Sequence, residues 1–133
     1  MTTITDSQVR DLLDNPNHAV VSTYNRDGTI LSTLVWVDTE NGDVAVNSAL
    51  GRRWPTNLQR DPRITLLIQE ADNPYNYVEI RGEAKGTTEG ADEHINRLSK
   101  KFIDQDEYRF RQPGEQRIKF TITPEHVRHQ RQG

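Results

Sequence analysis

A chain of 133 residues with a formal net charge of -3 has room for one domain and no second core. It contains no cysteine, which excludes disulfides, thiolate chemistry and cysteine-bound metals. Only 32% of its residues are hydrophobic and its mean hydropathy is -0.87, lean for a self-sufficient monomer; a closed sheet, a dimer interface or a bound cofactor would each help to supply burial, and an oligomer is expected.

The segment from Met1 to Ser7 lacks a secretory pattern and no apolar run approaches membrane-spanning length, so the expected setting is cytoplasmic, with no membrane partner. A pI near 5.8 argues against nucleic acid as a general partner.

In chain order, Thr5 to Leu13 reads as a short helix capped by Thr5, with Gln8 at the capping-box position and Val9, Leu12 and Leu13 as its apolar stripe. Asn15-Pro16-Asn17 ends it. Ala19 to Tyr24 is a strand, bounded by Asn25-Arg26-Asp27-Gly28, whose Asp-Gly pair signals a hairpin. Thr29 to Asp38 is the returning strand. Glu40-Asn41-Gly42-Asp43 makes a second hairpin turn, from which Asp43 to Ser48 pairs back.

Ile64 to Ile68 is a nearly continuous apolar strand, and the loop Asp72-Asn73-Pro74 leads to another from Tyr75 to Lys85. There Val78, Ile80, Gly82 and Ala84 alternate with Glu79, Arg81, Glu83 and Lys85, giving one buried and one wet face. Gly82 and Ala84 leave room for a second backbone, a ligand or a sharp bend. Thr87 or Thr88 caps a helix running to about Asp104, with Ile95, Leu98, Phe102 and Ile103 on one side. A loop holding Pro113-Gly114 leads to the last strand, Arg117 to Thr123, which turns Ile118, Phe120 and Ile122 inward and Lys119, Thr121 and Thr123 outward. Residues 124–133 read as a polar C-terminal tail. Six strands with few helices are mainly β, and a small barrel removes their edges.

Asn47 to Arg63 is the stretch best suited to a ligand, with four arginines (Arg52, Arg53, Arg60 and Arg63) within twelve positions of an acidic chain. Free backbone N–H groups at a helix start and forked guanidinium groups suit phosphate or carboxylate. Gly51 marks the corner, Ser48 lies just upstream, and Asn57 falls one helical turn beyond Arg53. Arg52 and Arg53 carry this expectation; Arg60 and Arg63 suit structural roles. The competing reading is a solvated face salted by Asp61 and Glu70. Ser32-Thr33-Leu34-Val35-Trp36 places hydroxyls and a large aromatic in mid-strand. Either its polar side faces water with Trp36 in the core, or its hydroxyls and main chain bond the edge of a planar ring. Tyr75 and Tyr77 share a face, suited to an interface, a pocket or the core, and Trp54 reads as a packing anchor.

His126 and His129 lack carboxylate partners, so no metal site is expected, and His18 and His94 read as strand-start and helix-surface residues. No nucleophile and base, dinucleotide glycine motif or paired carboxylates can be assembled. No catalytic side chain is therefore expected, and the hard step is assigned to a cofactor.

The order hairpin, hairpin, Gly51-Arg52-Arg53, then Asn57-Leu58-Gln59-Arg60-Asp61-Pro62-Arg63, strand, the run Tyr75-x-Tyr77-Val78-x-Ile80-x-Gly82-x-Ala84, helix and final strand resembles the split β-barrel flavin and deazaflavin oxidoreductases. These are the pyridoxamine 5'-phosphate oxidase-like proteins, and the chain looks most like their small branch that uses coenzyme F420. The resemblance spans about His18 to Thr123 and implies a six-stranded antiparallel split β-barrel with short flanking helices, paired as a homodimer with two cofactors at the interface. It places Arg52 and Asn57 on positions that contact the cofactor phosphate or acidic tail. Ser32, Thr33, Val35 and Trp36 fall on the strand lining the ring, and Tyr75 and Tyr77 on the segment reaching across from the partner. Many relatives carry lysine at the position of Trp54 and often arginine at that of Thr56, so Arg53 stands in for the missing charge. The implied activity is hydride transfer between reduced coenzyme F420 and an unsaturated small-molecule acceptor. The alternatives are an FMN-dependent oxidoreductase of the same fold and a non-catalytic binder of a cofactor or haem.

Overall fold

The computed structural model describes residues 2–132. Among them the element order is α1 (Ser7–Asp14), β1 (Ala19–Tyr24), β2 (Ile30–Val35), β3 (Val37–Glu40), β4 (Asp43–Ala49), α2 (Arg53–Arg60), β5 (Arg63–Glu70), β6 (Asn73–Thr87), α3 (Ala91–Ile103) and β7 (Arg117–Arg131). The fold is mainly β, as expected, but with seven strands rather than six. The run expected as one strand, Thr29 to Asp38, breaks at Trp36 into β2 and β3.

The break has a topological cause. All strands belong to one antiparallel sheet in the order β2-β1-β5-β6-β7-β4-β3, so the two strands joined through Trp36 are its opposite edges. In a flat sheet these edges would lie about 29 Å apart, whereas the link through Trp36 spans about 7 Å. The sheet therefore curls until its edges approach, and Trp36 turns the corner between them. The result is a half-barrel left open along one seam.

Inside the curl lies one apolar cluster: Val9, Leu12 and Leu13 of α1, Leu58 of α2, and inward residues of the strands such as Val21, Val46, Leu66, Ile80 and Phe120. The alternation anticipated for Val78 to Lys85 and for Ile118 to Ile122 is observed. Outside the curl, α3 covers β4 and β7, so β4 is buried continuously from Val44 to Ala49. Lys119 and Thr121, expected to face out, are consequently half-buried, and Lys119 Nζ lies 2.6 Å from Glu40 Oε2.

Three boundaries differ from expectation. Residues 124–131, expected as a tail, form the second half of β7, paired with β6 from Asn76↔Arg131 to Arg81↔His126. Pro124 interrupts the ladder without ending the strand, because it sits at a bulge between Arg81 and Gly82. A Cβ on Gly82 would lie 2.0 Å from the Thr123 carbonyl oxygen, so this close approach requires glycine. Second, α1 begins at Ser7 with Asp6 at its N-cap and no side-chain cap, while the Thr3 N–H donates to Asp6 Oδ2 instead. Third, β6 extends to Thr87, whose hydroxyl accepts from Glu89 N–H, and α3 starts only after Gly90. Among the described residues no helix is long and apolar enough to cross a membrane.

Candidate functional site

At the seam, a cleft of about 360 Å³ opens between the Trp36 corner, the end of β4, the start of α2, the face of α3 and the first residue of β7. Gly51 makes the turn from β4 into α2 at φ 95°, a left-handed conformation that glycine adopts without strain. That turn brings Arg52, the N-cap of α2, to the rim.

One wall is aromatic. Trp36 stacks on Phe102 at 5.6 Å and 7° between planes, and Tyr108 meets its edge at 6.2 Å. Phe110 packs on Tyr108 at 5.8 Å, and the Arg117 guanidinium lies 4.8 Å over the Tyr108 ring. Such contacts hold an aromatic wall in register at low conformational cost.

Adjoining that wall is a buried polar chain. Arg117 is 3% exposed, and its Nε donates to Asn47 Oδ1 at 3.0 Å. That bond fixes the Asn47 amide, whose Nδ2 then donates both to the Ala91 carbonyl at 2.9 Å and to His94 Nδ1 at 3.1 Å. His94 Nδ1 being an acceptor, its proton is on Nε2, which donates to Asp38 Oδ1 at 2.8 Å. Arg97 Nε donates to Asp38 Oδ2, also at 2.8 Å. Burial opposes ionisation of Asp38, but the bonds from His94 and Arg97 outweigh it and hold its carboxyl below the usual range. Burial pushes the Arg117 guanidinium down, and the neighbouring Arg52 acts the same way against the opposing Glu115. Arg52 Nη2 lies 3.1 Å and Arg117 Nη1 lies 3.2 Å from Glu115 Oε1. The second contact is ionic without hydrogen-bond alignment. Among the described residues, buried Arg117 Nη1, Glu115 Oε2 and Ser48 Oγ have no hydrogen-bond partner.

Of the ten residues expected to bind the cofactor, five line this cleft: Thr33, Val35, Trp36, Ser48 and Arg52, with the anchor Trp54 beside them. Five do not. Ser32 faces out of β2, its Oγ 3.1 Å from Ser22 Oγ. Arg53 is exposed and does not line the cleft. Asn57 is buried and ties α2 to the first hairpin, its Nδ2 donating to Thr23 Oγ1 and Asn25 Oδ1 while its Oδ1 accepts from Arg60. Tyr75 and Tyr77 lie on the outer face of β6, with Arg128 over the Tyr77 ring at 5.8 Å. The structural roles read for Arg60 and Arg63 are present: Arg60 donates to the Tyr24 carbonyl, and Arg63 pairs with Asp61 at 2.7 Å and lies over the Tyr24 ring. Trp54 packs against Phe120, as an anchor does.

Arg117, Glu115, Asn47 and the loop aromatics escape a reading by alternation, which sends Arg117 to water. The available signal is β4 itself. From Val44 to Ala49 it carries no charge on either face, the mark of a strand covered on both sides. His94, read as a helix-surface residue, is fully buried for the same reason.

A family model for pyridoxamine 5'-phosphate oxidase matches residues 5–131. The chain belongs to this family. Several solved structures share its split-barrel fold. An F420 reductase superposes with a TM-score of 0.77 at 20% identity, over 90% of this chain and 94% of that one. A conserved hypothetical protein of Mycobacterium tuberculosis gives 0.76 at 18%, over 97% and 86%. General Stress Protein 26 of Bacillus anthracis gives 0.70 at 15%, over 96% and 95%. At such identities the likeness is one of fold. A search of curated proteins gives no match.

Proposed function

We propose that this member of the pyridoxamine 5'-phosphate oxidase family transfers a hydride between reduced coenzyme F420 and an unsaturated small-molecule acceptor. The observation that carries the reading is the cleft itself, which sets an aromatic wall and strand hydroxyls beside two convergent arginines and an unpaired buried hydroxyl. A planar ring bearing an anionic side chain matches that pairing of surfaces. The likeness in fold to an F420 reductase supports the deazaflavin among such molecules.

In this reading the Trp36 corner and the Val35 main chain flank the ring, Thr33 and Ser48 supply hydroxyls to its polar edge, and Arg52 and Arg117 hold its phosphate. Bound there, the deazaflavin supplies hydride chemistry; the side chains bind, orient and exclude water. The working unit is a homodimer. The outer face of β2, β1 and β5 exposes Ile30, Leu34 and Leu67, with Leu34 and Leu67 both opposite Val20, and Tyr75 projects from β6. Leu34 also lines the cleft, so a partner on this face would complete the site and bring Tyr75 and Tyr77 towards the other cofactor.

Equilibrium titration of the purified protein with coenzyme F420 and with FMN tests the reading. Tighter binding of F420, with oxidation of its reduced form by an enone or quinone, is the expected result. Tighter binding of FMN would replace it with a flavin enzyme of the same fold, and F420 binding without turnover on any acceptor would leave a carrier protein.

A further inference from the structure

Arg52 and Arg117 come from the N-cap of α2 and the first residue of β7, yet both point at one atom, Glu115 Oε1, from 3.1 and 3.2 Å. The Glu115 side chain is 5% exposed, and its second oxygen has no hydrogen-bond partner among the described residues. A carboxylate kept mainly for structure between two guanidinium groups would use both oxygens in forked pairs. Here one oxygen receives both cations and the other receives nothing. Two cations around one carboxylate also leave a surplus positive charge, which burial of Arg117 makes costly.

We propose that Glu115 occupies the phosphate subsite of Arg52 and Arg117 in the ligand-free protein as an internal competitor and leaves when phosphate enters. A phosphate group brings additional acceptor oxygens, which Arg117 Nη1 can use, and as a monoester dianion it also brings the second negative charge. Glu115 stands on the loop between α3 and β7, so its side chain can swing while the hydrogen-bonded backbone beside it holds. It lies just past Pro113-Gly114, in a turn closed by Glu115 N–H donating to the Gln112 carbonyl, and is followed by Gln116, whose carbonyl accepts from Leu50 N–H. The same loop carries Tyr108 and Phe110, so displacement of Glu115 is felt at the aromatic wall.

The proposal rests on the cofactor reading, since a cofactor phosphate is the natural occupant: the monoester of FMN carries two negative charges, whereas the diester of the deazaflavin carries one and adds its acidic tail. Its test uses inorganic phosphate, which carries no hydride, so its failure and that of the cofactor reading are distinguishable. Thermal unfolding of the full chain is followed against phosphate at constant ionic strength. Glu115→Gln keeps the side chain's size and an acceptor oxygen but removes the competing charge. It is expected to bind phosphate about tenfold more tightly than the wild type. Adding Arg52→Gln, on a half-exposed side chain, is expected to abolish that gain. Glu115→Asp draws the charge back by one methylene and is expected to tighten binding by a smaller factor. A merely structural Glu115 would lower the melting temperature of both variants and leave their phosphate dependence unchanged. If neither variant binds phosphate more tightly than the wild type, or if the gain survives loss of Arg52, the proposal is wrong.

Discussion

Arg52 and Arg53 are adjacent in sequence and differ in situation. Arg52 caps α2, reaches the cleft and meets Glu115, whereas Arg53 is exposed away from it. Arg52→Ala is therefore expected to weaken cofactor binding at least about tenfold, or about 1.4 kcal/mol, the scale of one charge-assisted hydrogen bond. Arg53→Ala in the same titration is expected to change it little. Equal losses from the two would remove Arg52 from the site. The distinction was half legible in the sequence. Gly51 and the run of arginines pointed to the corner, but which of them turned inward depended on a helix start that alternation does not fix. Arg117 was hidden more thoroughly. Its strand neighbours Ile118, Phe120 and Ile122 declared the inner face, and nothing in those residues announced that α3 would cover the other.

Among the elements, the two hairpins were readable because Asp27-Gly28 and Asn41-Gly42 specify their own turns, and φ is positive at Gly28, Asn41 and Gly42. The second half of β7 was not, because its polar residues pair with the distant start of β6 and only Val127 packs against the core. That pairing depends on the bulge at Gly82. Gly82→Ala drives a Cβ into the Thr123 backbone and is expected to cost about 2 kcal/mol or more in denaturant unfolding. A loss of a few tenths would mean that the bulge relaxes freely. Lys101 is a second element-level tie. From α3 its Nζ donates to the carbonyls of Leu13 and Val37, joining the end of α1 to the start of β3. Burial pushes its ammonium group down to about 8 from an ordinary 10.5. Between these values the unfolded chain holds more protons than the folded one, so stability rises with pH across the window, and below it the burial cost is present in full. The unfolding free energy of the wild type minus that of Lys101→Met is expected to increase from pH 8 to 10. A flat difference would show that Lys101 titrates normally.

At the scale of the whole molecule, the outer face of the half-barrel carries the expectation of pairing. Leu34 is 67% exposed and lies beside Val20 and Leu67 on a continuous patch. Exposed apolar surface of this kind on a hydrophilic chain is the basis on which an interface is proposed. Leu34→Glu is expected to convert a dimer to a monomer in light scattering and to weaken cofactor binding with it. A wild-type chain that is monomeric at micromolar concentration would remove the dimer from the proposal. The lean composition is consistent with such a partner, as it is with a closed sheet or a bound cofactor, since little apolar material is available for burial within one copy.

Trp36 is both the corner that lets the two edges of the sheet approach and part of the wall of the cleft. A keystone cannot be recut to suit the room it encloses without loosening the arch. New ligand preferences would be more freely carved from Tyr108 and Phe110, which furnish the same room from a loop on which the arch does not stand.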